Sequence, residues 1–405
     1  MNKEESPNFE QYTLEELHQA LLEIDHQAYP ERVEKIQQCI AAKSAPVEIS
    51  QEQQLHTPEP KQYRKCQVNF LGNGKEYFSI WIVNLLLTIV TLGIYSAWAT
   101  VRNNRYFYSN TEIDGHRFSY LAQPKQILIG RIIGVLLFAI FYAASVISPF
   151  AAVITSILIF CFVPVLVCMA MRFRMRMTAY RNVRFNFTKN YGRAYVVFLL
   201  YPILALFTFY LAYPWALKKI DEFLYSHITY GNKQMKPNLQ TAEYYVASIV
   251  AGIAGMIIAF IGGFLMIGTV TLASESSSSG NTEVLVMIVT FLLYAFVFVV
   301  SGSIYQAFIR NHVYNSTQLE DVANFNSDVK IGSLIMLRLT NLLMLICTLG
   351  FAMPWVKVRT LTFFANATQV NIEEGAESVI SDDSQSDSAI ADEVSNIFDV
   401  DIAIG

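Results

Sequence analysis

Aromatic and basic residues recur at fixed spacing in three stretches of this 405-residue chain, at 91–110, 208–227 and 348–367. In each stretch a cation follows a tryptophan by four residues, and an aromatic residue follows it by eight. These positions share one helix face, where tryptophan favours the membrane interface and a cation can bind lipid phosphate. The pattern predicts contacts with membrane lipids, above all anionic headgroups, through Trp98, Arg102, Tyr106, Trp215, Lys219, Phe223, Trp355, Arg359 and Phe363.

Polar side chains accompany the same stretches inside apolar sequence. Thr91, Thr208 and Thr348 each precede the tryptophan by seven residues, and Asn84 and Asn341 occupy equivalent positions farther upstream. A glycine or proline lies between each threonine and its tryptophan, which predicts a helix break at membrane depth. Backbone groups exposed at such a break are tolerated where they are buried in protein or line a cavity. These polar side chains therefore either hold helices together or line a path for a ligand or ion.

Patterns that indicate catalysis or metal binding are missing from the sequence. No Asp or Glu lies in the interior of an apolar stretch, although proton-coupled transporters usually need a buried ionisable group. The five cysteines lack metal-ligand spacing, and there is no phosphate-binding loop, nucleophile elbow or zinc-protease motif. Enzymatic activity is therefore disfavoured, and no cofactor is expected. The basic, aromatic loop at 171–187 fits anionic lipid better than nucleic acid, because it directly follows an apolar stretch.

Seven long apolar stretches indicate an integral membrane protein. Apolar residues make up 53% of the chain and charged residues 15%, whereas soluble domains carry about 25% charged residues. A helix of about 20 residues crosses the roughly 30 Å hydrocarbon core of a bilayer. The stretches are 77–98, 126–147, 150–171, 194–215, 244–271, 283–308 and 332–355.

The distribution of Lys and Arg argues against seven full crossings. The turn at 148–149 and the loop at 272–282 contain neither residue, whereas every other segment between stretches contains at least two. If the stretches 77–98, 194–215 and 332–355 return to the side from which they enter, all loop cations lie on one side, in keeping with the positive-inside rule. The N-terminus lacks the pattern of a signal peptide. We therefore expect both termini to be cytoplasmic.

Related polar segments follow five of the apolar stretches, at 110–120, 177–187, 227–235, 315–325 and 367–372. Most show a strand, a two-residue turn such as Asp114-Gly115, and a second strand. If they share one compartment, they could pair into a small common sheet. We expect an all-α polytopic membrane protein with small cytoplasmic β-hairpins. Its internal repeats would each join a Trp-bearing membrane element to a two-helix transmembrane hairpin.

Small residues spaced by four mark faces on which membrane helices can pack closely. They are Gly130, Gly134, Ala251, Gly255, Ala259 and Gly263. Arg131 and Arg338 lie several residues inside apolar stretches, and we expect each guanidinium to extend to the membrane interface.

Composition divides the chain into four regions. We predict a soluble helical hairpin at 1–45, a linker at 46–65, a membrane domain with about two and a half repeats at 66–370, and an acidic, mostly disordered tail at 371–405. The hairpin or the tail could bind a protein partner, and a homo-oligomer is compatible with the sequence.

The membrane domain resembles a known family over roughly residues 66–370. The segment FLGNGKEYFSIWIVNLLLTIVTLGIYSAWATVRNNRYFYSNTEIDGHRFSY is similar to the YjgN-type family of bacterial inner-membrane proteins, a domain family of unknown function. The terminal FDVDIAIG also resembles tail endings in that family. The resemblance implies a multi-pass protein of the bacterial inner (plasma) membrane. It implies no activity, substrate or catalytic residues.

Two functions are compatible with these patterns. The first is transport or permeation of a small molecule through a polar vestibule built from the broken elements. The alternative is a non-enzymatic scaffold that organises lipids or protein partners in the envelope. A cavity lined by Asn84, Thr91, Asn341 and Thr348 would favour transport, and solid packing there would favour the scaffold.

Overall fold

A computed structural model describes residues 9, 12–25, 28–44, 63–276 and 281–373. The chain forms two compact units, Met1–Lys61 and Gln62–Gly405. Most of the predicted linker and nearly all of the predicted acidic tail lie outside the described residues.

The first unit contains the helices α1 (Leu14–Glu23) and α2 (Pro30–Ser44). The Thr13 side chain accepts a hydrogen bond from the Glu16 amide, and the Glu16 carboxylate accepts one from the Thr13 amide in return. This capping box satisfies amide groups that the first turn of α1 would otherwise leave without partners. Apolar side chains of the two helices form a small core around Leu17 and Ile36.

Ten antiparallel strands of the second unit form one closed barrel. Neighbouring strands along the chain pair with each other, and the first strand pairs with both the second and the last. The strands are β1 (Tyr63–Phe70), β2 (Thr111–Ile113), β3 (His116–Tyr120), β4 (Thr178–Tyr180), β5 (Val183–Phe187), β6 (Ile228–Tyr230), β7 (Lys233–Pro237), β8 (Thr317–Leu319), β9 (Ala323–Ser327) and β10 (Thr368–Glu373).

The expectation of an all-α protein with small separate β-hairpins is wrong. Four hairpins do form at the predicted segments, and Asp114-Gly115 and Arg181-Asn182 occupy the left-handed conformations that tight hairpin turns require. Each strand is only three to eight residues long, however, and an isolated short hairpin is marginal in water. Closing all ten strands into a barrel gives each strand two partners and leaves no open edge.

Apolar side chains fill the barrel interior. Cys66, Val183, Tyr230, Leu319 and Val370, from five different strands, are buried and pack in one cluster. Burial, together with the nearby Asp114 carboxylate, raises the pKa of the Cys66 thiol and keeps it protonated. The inside of the barrel is therefore a packed core at this level rather than an open pore.

Five pairs of helical arms project from the barrel, because each pair begins after one strand and ends before another. The first arm of the third pair is composite: α7 (Tyr191–Tyr195) continues through the π-helical segment Val196–Leu200 into α8 (Tyr201–Phe207), and its second arm is α9 (Tyr213–Ser226). In chain order, the other four pairs are α3 (Gly74–Val90) with α4 (Ser96–Ser109), α5 (Pro124–Ile147) with α6 (Pro149–Arg176), α10 (Thr241–Ser276) with α11 (Asn281–Asn315), and α12 (Ile331–Cys347) with α13 (Met353–Asn366). Each pair contacts the next, and α13 contacts α3, so the five pairs form a ring.

The fourth residue of every first arm lies in the core of this ring. These residues are at most 8% exposed even though they differ widely in size. They are Tyr77, Ile127, Ala194, Tyr244 and Leu334. The same position is therefore buried in all five pairs, with the size of the side chain adjusted to its neighbours.

The helix pairs differ in length. In the part of the chain that the structure describes, four helices are long and apolar enough to cross a membrane, at Pro124–Ile147, Pro149–Arg176, Thr241–Gly268 and Val286–Asn315. In the other three pairs the first arm spans 17 residues, followed by a short turn and a 14-residue second arm that leads back to the barrel. We call these three pairs the returning elements. Their turns are apolar and exposed, with Leu92 95%, Phe209 90% and Leu349 89% exposed.

Barrel closure can be tested by cross-linking the first strand to the last. Lys65 in β1 and Asn371 in β10 are register partners, and directly opposed residues lie within disulfide reach. In a background without native cysteines, Lys65→Cys/Asn371→Cys should form a disulfide on mild oxidation, seen as a gel shift that reduction reverses. The control Lys65→Cys/Gln318→Cys should not cross-link, because β8 lies three strands from β1, about 14 Å away. Equal cross-linking of both pairs would contradict the strand order.

Candidate functional site

The turns of the returning elements are built by their threonines. Thr91 donates its hydroxyl to the Leu87 carbonyl (2.7 Å) and accepts from the Tyr95 amide (2.9 Å). The hydroxyl thus satisfies the end of α3 and the start of the following turn. Thr208 and Thr348 likewise donate to a carbonyl of the first arm, Ala205 and Met344, and accept from the amides of residues 212 and 352. All three hydroxyl groups are used in backbone capping.

The two residues that directly follow each threonine both adopt left-handed backbone conformations. In the first element these are Leu92 (φ 52°) and Gly93 (φ 92°), and the third has the same arrangement at Leu349 and Gly350. The amide of the second residue bonds to a carbonyl five residues earlier, at 2.8 Å in all three elements. This closes the first arm in the manner of a Schellman motif. The predicted helix break is therefore a compact and fully capped reversal.

The two buried asparagines hold the arms of a returning element together. The Asn84 amide donates to the Asn103 side chain (3.0 Å), and the Asn341 amide donates to the Thr360 hydroxyl (3.2 Å). Both asparagines are nearly fully buried, and their side-chain oxygens (Oδ1) have no hydrogen-bond partner. The second element has Tyr201 at this position, and its ring packs against Trp215.

Three cavities in the described part of the chain are lined by residues other than these asparagines and threonines. A polar cavity of ≈ 480 Å³ lies between β9, β10, α12 and α13, an apolar one of ≈ 610 Å³ lies between α10, α11 and α12, and a third of ≈ 410 Å³ lies between α5 and α6. None of these three is lined by Asn84, Thr91, Asn341 or Thr348. The observed bonds of these side chains fit helix packing rather than a polar path.

The three tryptophans have different surroundings. Trp98 is 37% exposed and stacks on Tyr95, whereas the Trp215 ring packs 4.6 Å from the ring of Tyr201. Trp355 packs across the pair boundary, where a Cβ atom on Gly74 would lie 2.5 Å from its ring. Among these three tryptophans, surface exposure is therefore greatest at Trp98.

The cations and aromatics of the pattern also separate. Arg102 is exposed, Lys219 pairs with Glu222 at 3.0 Å, and Arg359 donates to the Thr340 hydroxyl at 3.1 Å. Tyr106 and Phe223 are buried in the protein, so their rings do not face lipid. Phe363 is partly buried and lines the polar cavity. The three cations are thus exposed or partly exposed, whereas the three aromatic side chains are buried or partly buried.

Two arginines bridge neighbouring helix pairs at the same position, the eighth residue of the first arm. Arg131 of α5 donates to the hydroxyls of Ser96 and Thr100 in α4, the second of these at 2.8 Å. Arg338 of α12 donates to Ser303 (3.3 Å) and to the Gln306 side chain in α11. All these acceptors are neutral, and no carboxylate among the described residues pairs with either arginine. Each guanidinium therefore carries an uncompensated charge between helices.

The predicted small-residue faces are used only in part. Ala251 is buried against α11, and a Cβ atom on Gly255 would lie 2.5 Å from the Ser301 hydroxyl. Gly134 and Gly263 face open space, and Gly130 and Ala259 are partly exposed. Close packing of α10 on α11 also occurs at Gly262, outside the predicted positions, where a Cβ atom would overlap the Leu293 side chain.

A partly buried carboxyl group in α9 has no signal in the sequence. Asp221 accepts a hydrogen bond from the Tyr244 hydroxyl of α10 at 2.7 Å. Burial raises the pKa of Asp221, although the bond from Tyr244 partly opposes this. Asp221 lies in a polar sequence that looks like a solvated helix face, and its burial depends on a tyrosine 23 residues away. No local pattern could have revealed it.

Residues 65–397 match the model of a family described as bacterial proteins of unknown function (DUF898). The chain belongs to this family. The inner membrane protein YjgN of Escherichia coli O157:H7 is 25% identical over 345 residues, covering 74% of this chain and 87% of the relative. YjgN of Salmonella typhimurium (strain LT2) is 26% identical over 350 residues, with the same coverage, and YjgN of Escherichia coli (strain K12) is 26% identical over 297 residues, covering 62% of this chain and 75% of the relative. No solved structure matches the chain.

The names of these relatives and the four helices of spanning length both indicate a membrane protein. The relatives are named inner membrane proteins, and the helices have the length and composition of membrane spans. This DUF898 protein is a multi-pass membrane protein of the inner membrane.

The left-handed glycine of a returning element can be tested by alanine substitution. Gly350→Ala should destabilise the protein by about 1 kcal/mol, because alanine resists the left-handed region. A Cβ atom there meets nothing within 4 Å, so the cost comes from the backbone alone. The control Gly263→Ala also adds a Cβ in open space, but within a helix, and should be neutral or stabilising. Thermal unfolding in detergent measures both, and equal shifts would contradict the described turn.

Asp221 should make stability depend on pH. Its folded-state pKa is raised, so the stability is greatest while Asp221 is protonated and falls as the pH rises through that pKa. Asp221→Asn can still accept the Tyr244 bond but cannot ionise. The variant should match the wild type in acid and unfold at higher temperature at alkaline pH.

The neighbouring Glu222 provides a control of opposite sign. Burial alone would raise its pKa, but hydrogen bonds from Lys218 and Lys219 lower it. Its contribution is present at neutral pH and is lost as the pH falls. Glu222→Gln should therefore be less stable than the wild type at neutral pH and approach it in acid. The same pH trend for both variants would refute the assignment.

Proposed function

We propose that the protein is a non-enzymatic membrane scaffold that expands one leaflet of the inner membrane and organises the lipids around it. The observation that carries this proposal is a difference in helix number. Among the described residues, ten helical arms project from the barrel, whereas four helices are long and apolar enough to cross the membrane. The membrane domain would therefore be wide in the leaflet next to the barrel and narrow in the opposite leaflet.

The depth of the returning elements supports this shape. The apolar part of α11 from Val284 to Val300 is about 25 Å long, close to the thickness of the hydrocarbon core. Ser303 would then lie at the interface on the barrel side, and so would Arg338, which donates to it. From Arg338 to the end of α12 at Cys347 is about 14 Å, roughly half of a bilayer core. The returning elements would thus stop near the membrane midplane.

The surface of these elements is suited to lipid. Large apolar side chains are exposed at the turns, and backbone polar groups there are capped by threonine, as a hydrocarbon environment requires. The side chains of Arg102 and Arg359, each the seventh residue of its second arm, can extend toward the barrel-side interface and bind anionic headgroups. The asparagines and threonines that a permeation path would need bond within their own elements. These contacts favour the scaffold over transport.

The proposal places the barrel in the cytoplasm. The turn between α5 and α6 has no Lys or Arg, whereas the barrel end of the helices is rich in both, and basic residues favour the cytoplasmic side. The five helix pairs, with their shared buried position and their strands, would be repeats of one unit. Homo-oligomers and partners of the terminal segments fit a scaffold but are not required by it.

The scaffold proposal predicts curvature sorting that depends on orientation. Purified protein would be reconstituted into small and large unilamellar vesicles, with a fluorophore at Ser119→Cys of β3 in a background without native cysteines. An impermeant quencher separates molecules with the barrel outside from those with the barrel inside. Molecules with the barrel outside should be enriched on small vesicles, because the outer leaflet is there the expanded one.

Molecules with the barrel inside should show the opposite preference, so each sample contains its own control. Equal density of both orientations at all vesicle sizes would contradict a wedge-shaped scaffold.

A further inference from the structure

An apolar groove runs along the membrane-facing side of α10, α11 and α12. It has a volume of ≈ 610 Å³. Its lining includes Leu265 of α10, Val289 and Phe296 of α11, and Leu342, Leu343 and Ile346 of α12. Two of its walls are membrane-spanning helices, so its surroundings are lipid.

Helix periodicity connects this groove to a cation. Arg338, Leu342 and Ile346 are spaced by four residues and share one face of α12. On α11, Val289, Phe296 and Ser303 are spaced by seven and also share one face. Ser303 accepts a hydrogen bond from Arg338. The barrel-side end of the groove therefore leads to the guanidinium of Arg338.

The charge at this end has no counterion among the described residues. Arg338 is partly buried, and its partners Ser303 and Gln306 are neutral. Gly302 leaves space beside the guanidinium, since a Cβ atom there would lie 3.6 Å from Nη1. A partly desolvated arginine of this kind gains most from an anion that can accept charge-assisted hydrogen bonds.

We propose that the groove binds one acyl chain of an anionic phospholipid whose phosphate accepts hydrogen bonds from Arg338. The proposal rests on the scaffold function above, which places Arg338 at headgroup depth. From Arg338 to Ile346 is about 12 Å along α12, the direction in which an acyl chain of that leaflet extends. A lipid with net negative charge fits better than a zwitterionic one, because a zwitterion brings its own cation to a site that already has one.

The site can be tested by native mass spectrometry of the full chain in detergent with added phosphatidylglycerol or phosphatidylcholine. The wild type should retain phosphatidylglycerol preferentially. Arg338→Gln should lower its retention roughly tenfold and abolish the preference, because a charge-assisted hydrogen bond is lost. Leu343→Trp, at a lipid-exposed wall position, should fill the groove and lower retention of both lipids without touching the arginine.

Matched controls separate the site from general lipid binding. Arg131→Gln removes the equivalent arginine of α5, and Leu136→Trp adds a tryptophan at another lipid-exposed position. Both should retain lipid as the wild type does. An unchanged lipid preference in Arg338→Gln, or unchanged retention in Leu343→Trp, would overturn the proposal.

The outcome can be distinguished from that of the scaffold test. Curvature sorting depends on the number of arms in each leaflet and should persist in Arg338→Gln. Intact sorting without a lipid preference would refute the groove site alone. A lipid preference that disappears with Arg338→Gln, in a protein that shows no sorting, would support the site and count against the scaffold.

Discussion

Hydrogen bonding between the first and the last strand is the interaction on which the membrane domain depends. β1 and β10 pair over five register positions although they lie about 300 residues apart in the chain. Without this contact the sheet would have two open edges, and the three-residue strands β2, β4, β6 and β8 would belong to an incomplete sheet. Closure also fixes where each helix pair starts and ends. The ring of arms is therefore held by the barrel, in addition to its own helix contacts.

Much of this architecture is encoded locally and could be predicted. The Trp patterns located the three returning elements, and the Lys and Arg distribution suggested that they return. Turn pairs such as Asp114-Gly115 located the hairpins. The closed barrel could not be predicted, because its decisive pairing is non-local and its shortest strands carry almost no periodicity.

For the candidate site residues too, the sequence predicts one part and the structure supplies the rest. The sequence marks Thr91 and Asn84 as polar groups inside apolar sequence, but residue type alone leaves open whether they cap a turn, join helices or line a path. Their partners, the Tyr95 amide and Asn103, settle which bonds they make. Asp221 and the groove at Arg338 depend on contacts between helix pairs, for which a single sequence contains no direct signal.

Five helix pairs cannot alternate between long and short around a closed ring. Long pairs occupy the second and fourth positions, so two short pairs, α12–α13 and α3–α4, become neighbours where the barrel closes. On the side away from the barrel, one gap between the two long hairpins is one pair wide, and the other is two pairs wide. The domain therefore lacks rotational symmetry about the membrane normal. The wider gap distinguishes one side of the domain from the other within the membrane plane. Any deformation that it imposes on the bilayer would be anisotropic, which would let neighbouring molecules align with one another through the lipid alone.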